Sequence, residues 1–241
     1  MCTVSFIPAG KRVYITSNRD EKHFRLPALP PQLYSHNGHA LVFPKDGDAG
    51  GTWIAINKNG SVVILLNGGF VFHESNPPYK RSRGLVLLDI IASDQLLLSY
   101  QQIDLEGIEP FTCILWDGHQ LHECRWDGVK KHITQKPADI PHIWSSATLY
   151  INEVIEKRKQ WFSQWLQHAE PSLHASFELH RFGGEGDAHN DFFMNRNGLV
   201  YTVSITAIEM DESQAVMHYH DLQDDTTFDQ TILFNKASVS P

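Results

Sequence analysis

The residues best suited to chemistry in this chain are a cysteine at position 2 and a charged tetrapeptide at positions 18–21. Cys2 directly follows Met1, so removal of the initiator would make it the first residue of the mature protein. Its thiol and its free α-amine would then belong to one residue, and an α-amine with a pKa of roughly 7.7–8.0 can accept a proton near neutral pH. Together with the residues that follow, this predicts that Cys2 supplies both a nucleophile and a general base. A terminal residue with no role is the alternative interpretation of Cys2 taken alone.

The tetrapeptide is Asn18-Arg19-Asp20-Glu21. A cation such as Arg19 would favour the reactive thiolate of Cys2. Asp20 or Glu21 would accept a hydrogen bond from the α-ammonium group or orient the thiol. A charged, solvent-exposed turn after a strand is the alternative interpretation. Because adjacent side chains of a strand point to opposite faces, we expect Arg19 and Asp20 both to reach Cys2 only if the strand ends or bends there.

Asn67 is a further candidate, since it ends an apolar segment and is followed by two glycines. Glycines let the backbone approach a ligand closely, and an Asn amide placed there can donate a hydrogen bond to a developing oxyanion. A simple Asn-Gly-Gly turn is the alternative.

The sequence predicts no metal site and no cofactor. His218 and His220 share one face of a predicted strand, but the chain has fourteen histidines and no metal-binding motif. Cys113 and Cys124 stand among apolar residues and are predicted to be inert core thiols.

Composition narrows the class of protein. The chain has 241 residues and a net charge of −8, which argues against a nucleic-acid partner. Its densest basic runs, Lys130-Lys131 and Lys157-Arg158-Lys159, are predicted to be solvated surface. Three cysteines cannot all pair, which indicates a reducing compartment. With no charged leader before an apolar core and no apolar run of ~18 residues, we expect a cytoplasmic protein without a membrane span.

The elements that must position these residues are mostly hairpins. Strands are predicted at 2–7, 12–17, 52–56, 61–66, 111–116, 120–126, 143–146, 199–208 and 214–220, and amphipathic helices at 85–100 and 151–168. Residues 26–51 are predicted to be a long loop with at most one short strand, and the strand at 214–220 to close the chain. Hairpins separated by helices predict antiparallel sheets with helices on their outer faces, in one α+β domain spanning residues 1–241.

The order of the motifs resembles a known family. Met1-Cys2-Thr3, the tetrapeptide at 18–21, Gly51-Thr52-Trp53 and Asn67 are similar to the NRDE family, also called the transport-and-Golgi-organisation protein 2 family, and residues 144–149 resemble the segment before its second helix. That family in turn resembles N-terminal-nucleophile hydrolases of the penicillin V acylase and bile salt hydrolase group. The resemblance implies a four-layer αββα sandwich.

The resemblance also implies roles for residues. Cys2 would be nucleophile and base, Arg19 would lie beside the thiol, and Asp20, or alternatively Glu21, would act as the group's catalytic aspartate. Asn67 falls at the position of an oxyanion-hole residue. Where the acylases have a second oxyanion Asn, this chain has Ser145-Ser146, so the Ser146 hydroxyl would replace an amide. For the acylases' late catalytic arginine, Arg196 is nearby, but the spacing does not fix it as the counterpart.

Two functions are compatible with these residues. The first is an N-terminal-cysteine amidohydrolase that acts on a small molecule with a linear, non-peptide C–N amide bond through an acyl-enzyme. The second is a non-catalytic binding or trafficking protein, because the resemblance points to secretion and Golgi organisation and to haem or lipid-derived ligands.

Overall fold

Within the described part of the chain, the fold is built from hairpins and four helices. A computed structural model describes residues 3–235 of the 241-residue chain, so Cys2 lies outside the described residues. The strands are β1 Thr3–Ala9, β2 Arg12–Lys22, β3 Leu29–His36, β4 His39–Lys45, β5 Ile54–Asn57, β6 Val62–Asn67, β7 Phe111–Trp116, β8 Leu121–Trp126, β9 Lys131–Lys136, β10 His142–Ser145, β11 Asn195–Arg196, β12 Val200–Met210, β13 Gln214–Asp221 and β14 Thr226–Leu233. The helices are α1 Arg83–Ile91, α2 Leu96–Gln102, α3 Asn152–Leu166 and α4 Leu173–Phe182.

The strands form two antiparallel sheets of seven strands each. The first sheet has the order β10-β1-β2-β12-β13-β14, with β11 paired to β12, and the second is a meander that runs from β3 to β9. β6 lies at the centre of the second sheet and is buried on both faces, which its unbroken apolar sequence predicts.

Three apolar layers separate four layers of secondary structure. One layer lies between the sheets, a second joins α1 and α2 to the second sheet, and a third joins α3 and α4 to the first sheet. This arrangement confirms the predicted α+β sandwich of αββα type with antiparallel sheets. None of the helices in residues 3–235 is long and apolar enough to cross a membrane.

The prediction of a long loop at residues 26–51 is wrong, because β3 and β4 form a hairpin there. Its two-residue turn, Asn37-Gly38, has φ values of 49° and 80°, which suit the tight turn that matches strand twist. Pro30 and Pro31 obscured the strand, but β3 is an edge strand, where a missing N–H is tolerated, and its register shifts at these prolines.

Other elements also differ from the prediction. The helix predicted at 85–100 is two helices, because Ser93 accepts a hydrogen bond from the Gln95 amide and α1 ends before it. The prediction that 214–220 closes the chain is wrong, since β14 follows it. β9 and β14 are edge strands with mostly polar, partly exposed residues, so neither has a clear apolar periodicity. The short helix α4 was also not predicted.

Candidate active site

A cavity of about 920 Å³ lies at the end of the sandwich where β2 and β6 finish. Its wall combines the ends of both sheets, the start of α1 and part of the segment between β6 and α1. Four predicted site residues line it: Arg19, Asp20, Glu21 and Asn67. The fold thus brings together groups that are nearly fifty positions apart in the sequence.

The charged tetrapeptide lies within β2 and is not a solvent-exposed turn. β2 continues to Lys22, and Arg19 and Asp20 are each only 3% exposed. β2 does not end at this point; the irregularity lies in its partner strand, where the β12 register shifts between Thr202 and Ser204, opposite Asp20 and Arg19. The two side chains keep the alternation of a strand, and both still line the cavity because it lies at the strand end.

Arg19 faces the second sheet. Its Nη2 donates to Oδ2 of Asp46 at 2.7 Å, and its guanidinium lies 4.6 Å from the centre of the Trp53 ring. Asp46 also accepts from Arg25 at 2.7 Å. Burial raises the pKa of Asp46, but the Ala49 amide and the two arginines outweigh burial, so its pKa lies below the ordinary value. Arg19 is therefore held by a carboxylate that stays charged.

Glu21 lies on the same face of β2 as Arg19, but its contacts are longer. Its carboxylate is 3.9 Å from Arg19 and 3.8 Å from Arg25, beyond hydrogen-bond distance. Glu21 therefore adds negative charge to the cavity wall, while Asp46 makes the close ion pairs.

Asp20 faces the helices and is held by two hydroxyl groups. Tyr150 Oη donates to one carboxylate oxygen at 2.9 Å, and Thr202 Oγ1 donates to the other at 2.6 Å. Tyr150 lies just before α3, and Thr202 lies at the register shift of β12. Asp20 therefore joins the first sheet to the helical layer beside the cavity.

Asn18 anchors β2 to α4. Its Nδ2 donates to the carbonyl oxygens of His180 at 3.0 Å and Phe192 at 2.7 Å, so its Oδ1 must accept the proton of His180 Nδ1 at 2.6 Å. Ser5 Oγ then donates to His180 Nε2 at 2.8 Å. Burial, followed by the charge of Arg158, lowers the pKa of His180 to about 3, so the imidazole is neutral. Ser5, His180 and Asn18 are all fully buried, and their hydrogen-bonded chain is structural.

Asn67 and Ser146 are linked to each other. Ser146 Oγ donates to the Asn67 carbonyl oxygen at 2.8 Å and accepts from the Thr148 amide at 3.3 Å. Gly68 allows this approach, because it has φ +85° and a Cβ there would lie 2.8 Å from Thr148 Cγ2. Ser146 is fully buried and its proton is engaged, whereas Thr148 lines the cavity. The geometry suits Ser146 to holding Asn67, which differs from the expected role as an oxyanion donor.

The first described residue, Thr3, lies between β2, which carries predicted site residues, and β10, which ends directly before Ser146. Thr3 pairs with Asn18 of β2 and with Ser145 of β10. Its Oγ1 accepts a hydrogen bond from Arg158 Nη1 at 2.6 Å. The start of β1 is therefore fixed on both sides and also from α3.

Sequence reasoning missed Asp46, Tyr150, Thr202 and Arg158. The prediction that Lys157-Arg158-Lys159 is solvated surface is wrong for its central residue, because Arg158 is fully buried. A signal was present: Arg158 lies four residues after Val154 and four before Phe162, on the apolar stripe of α3. The other three lie 27, 130 and 182 positions along the chain from the tetrapeptide residues that they hold.

Other predicted residues lie away from the cavity. Cys113 and Cys124 are buried, free and directly opposite each other on β7 and β8, and burial raises the pKa of both thiols. His218 and His220 each hydrogen-bond an aspartate, at 2.6 and 2.7 Å. Arg196 donates to the Leu149 carbonyl oxygen at 2.7 Å.

The fold is similar to that of solved structures of an acid amidase and of a bile acid hydrolase. The chain is similar to the Caenorhabditis elegans ortholog of N-acylethanolamine-hydrolyzing acid amidase, with a TM-score of 0.57 and 12% identity over 86% of this chain and 92% of that one. It is also similar to a variant of the conjugated bile acid hydrolase from Clostridium perfringens, with a TM-score of 0.53 and 8% identity over 99% and 100% of the two chains. At these identities the likeness establishes the fold alone.

The sequence establishes the family. The profile of the Transport and Golgi organisation 2 family matches residues 1–196, so the chain belongs to that family, as the tetrapeptide indicated. The mouse Transport and Golgi organization 2 homolog is 30% identical over 117 residues, which are 44% of this chain and 41% of the mouse protein. The match therefore spans less than half the length of this relative.

Proposed function

We propose that this protein is an N-terminal-cysteine amidohydrolase that cleaves a linear, non-peptide C–N amide bond through an acyl-enzyme. The observation that carries the proposal is the register of Thr3, the residue bonded to Cys2. Thr3 pairs with Asn18 and Ser145, each of which directly precedes a predicted site residue, Arg19 or Ser146. Thr3 therefore lies toward the end of the sandwich that holds the cavity, which supports the proposal that Cys2 acts there.

The proposed reaction needs one residue as both nucleophile and base. After Met1 is removed, the Cys2 α-amine takes the thiol proton and the sulfur attacks the amide carbonyl carbon. The developing oxyanion accepts a hydrogen bond from the carboxamide of Asn67, a residue that lines the cavity. The C–N bond then breaks, and the leaving amine takes the proton from the α-ammonium group. Water, deprotonated by the same amine, hydrolyses the thioester and releases the acid.

In this mechanism, two charged residues of β2 assist Cys2. Arg19 contributes positive charge near the thiolate, and its pairing with Asp46 fixes its position. Asp20 is fixed by Tyr150 and Thr202 and would orient the α-ammonium group when it forms. Ser146 acts indirectly, because it holds the Asn67 carbonyl and thereby the strand end that presents the carboxamide.

The proposal is tested with protein made without an N-terminal tag. Intact-mass measurement is expected to show that Met1 is absent. A library of N-acyl amines is expected to contain a hydrolysed member, with activity lost in Cys2→Ala. Cys113→Ala is the matched control, since Cys113 is a buried core thiol, and it should keep the activity. Retention of Met1, or equal turnover by Cys2→Ala, would contradict the mechanism.

A binding or trafficking role is the second candidate, favoured by the size and rim of the cavity. Phe24 and Phe72 line it and are 67% and 66% exposed, so apolar rings stand at its edge. A cavity of about 920 Å³ suits a sizeable ligand such as haem or an acyl-CoA. Titration of both compounds against wild type and Cys2→Ala separates the two functions, because equal binding without turnover of any amide supports the binding role.

A further inference from the structure

Arg158 is a buried cation in an unusual position. It is fully buried on α3, and no carboxylate of residues 3–235 forms an ion pair with it. Burying a charge without a partner of opposite sign is costly unless hydrogen bonds and polarisable groups replace the lost water. A neutral or apolar side chain would pack at this position with less penalty, which points to a use for the charge.

The contacts of Arg158 join three parts of the molecule. Its Nη1 donates to Thr3 Oγ1 at 2.6 Å, its Nε to the Asn190 carbonyl oxygen at 3.0 Å, and its Nη2 to the Asp191 carbonyl oxygen at 2.6 Å. The guanidinium also lies 3.5 Å from the centre of the Tyr150 ring. Thr3 is the residue next to Cys2, and Tyr150 is the residue that holds Asp20.

We propose that Arg158 is a positioning residue of the candidate active site, which fixes the start of β1 through Thr3 and whose charge lowers the proton affinity of the Cys2 α-amine. The inference rests on the proposed function. A like charge nearby disfavours the protonated amine, and burial of that charge limits screening by water and salt. More of the α-amine is then neutral, and able to accept the thiol proton, near neutral pH.

Other charged groups near the start of β1 also influence whether the Cys2 α-amine is protonated. Asp20 favours the protonated amine and so opposes Arg158. His180 is neutral and adds no charge, and the Asp191 carboxylate is bound to the amides of Glu185 and Gly186. Arg196 lies 5.3 Å from the Tyr150 ring centre and acts in the same direction as Arg158, but it is less buried.

On β2, the charges of Arg19 and Glu21 remain when Arg158 is changed. Arg19 is paired with Asp46, and Glu21 lies on the face of β2 opposite Asp20. A comparison of Arg158 variants in an otherwise unchanged protein therefore isolates the contribution of this one cation.

The test is a titration of Cys2 in the full chain. Protein labelled with ¹³C at cysteine β-carbons gives signals for Cys2, Cys113 and Cys124, and the two buried thiols serve as references because burial raises their pKa values. The α-amine and thiol of Cys2 titrate as a coupled pair, so both midpoints are recorded. Loss of a nearby cation raises both midpoints, because a cation disfavours the ammonium form and favours the thiolate form.

Three variants separate charge from hydrogen bonding. Arg158→Gln keeps donors but removes the charge, and we expect its lower Cys2 midpoint to rise by about one pH unit. Arg158→Lys keeps the charge and should titrate like wild type. Arg196→Gln is the matched control and should shift the midpoint much less, because a partly exposed charge is screened. Circular dichroism and thermal melting report whether each variant is folded.

The outcomes are distinct. Folded Arg158→Gln with a wild-type midpoint overturns the inference. If that variant does not fold, Arg158→Met, which also lacks the charge, takes its place: a raised midpoint in folded Arg158→Met supports the inference, and a wild-type midpoint overturns it. A displaced midpoint in Arg158→Lys indicates a role through hydrogen bonds alone. Retention of Met1, seen in the intact mass, overturns both the proposed function and this inference. A wild-type midpoint in Arg158→Gln with Met1 absent overturns the inference alone, so the two failures are distinguished.

Discussion

Asn18→Ala should destabilise the protein strongly, although Asn18 takes no part in the proposed chemistry. The substitution removes a carboxamide that donates to the carbonyl oxygens of His180 and Phe192 and accepts from His180 Nδ1. All three partner groups are buried, and Ala offers them no replacement. The first residue of the tetrapeptide is thus predicted to act on the fold.

The magnitude follows from the number of groups left unpaired. Each buried donor or acceptor without a partner costs about 1–3 kcal/mol, so three of them, counted without full additivity, lower the free energy of unfolding by roughly 3–6 kcal/mol. For a chain of this size each kcal/mol lowers Tm by about 2–4 °C, which gives a decrease of roughly 6–24 °C.

Urea denaturation, followed by tryptophan fluorescence and by circular dichroism, measures this loss. Asn59→Ala is the matched control, because the hydrogen bonds of Asn59 to Asp94 and Asn235 are exposed, and we expect it to lose less than about 1 kcal/mol. If Asn18→Ala were no less stable than Asn59→Ala, the structural role of Asn18 would be refuted.

Three further predictions concern the site and its pH dependence. Ser146→Ala leaves the Asn67 carbonyl unpaired and should cost about 1–3 kcal/mol in urea denaturation. Its loss of kcat should be smaller than the roughly 10²–10³-fold loss expected for Asn67→Ala, and an equal kcat loss without destabilisation would contradict the positioning role. The folded-state pKa of Asp46 lies below its ordinary value, so its contribution to stability is full above roughly pH 4 and is lost as the pH falls through the lower folded-state pKa. The difference in unfolding free energy between wild type and Asp46→Asn should therefore shrink in that acid range. A difference that stays constant from neutral to acid pH would count against this role of Asp46. Burial lowers the pKa of His180 to about 3, so the neutral imidazole contributes its full stability at pH values above the ordinary histidine pKa of about 6.5. As the pH falls below about 6.5, the unfolding free energy should decrease by up to roughly 1.4 kcal/mol per pH unit. His180→Gln should lack this slope, and equal slopes in the two proteins would disprove the assignment.

The hairpins were predictable where local turn chemistry was visible. Asn59-Gly60 marks the turn between β5 and β6, and the apolar run of β6 predicts its central place in a covered sheet. The same rule applied to Asn37-Gly38 predicts the β3–β4 hairpin, but the nearby prolines hid it. Edge strands such as β14 have little periodicity because one side of the strand has no neighbour.

The candidate site was predictable only in part, because its residues are positioned by long-range contacts. Arg19, Asp20 and Asn67 were selected from their types and neighbours, and all three line the cavity. Tyr150 and Thr202 hold Asp20 from 130 and 182 positions away along the chain, and nothing near them in sequence indicates it. The burial of Arg158 was predictable only from its place on the apolar stripe of α3, which the two neighbouring lysines obscured.

The topology of the two sheets has a consequence for the order in which the molecule forms. The second sheet is a meander of residues 29–136, so its contacts are local, and we expect it to assemble early, during synthesis. The first sheet inserts β12, from near the end of the chain, beside β2, from near its start. A nascent chain that ends before residue 200 lacks Thr202, one of the two groups that hold Asp20. The contacts of Asp20 are therefore completed only after β12 has been made, so an unfinished chain carries Asp20 without one of the two hydroxyl groups that fix its carboxylate.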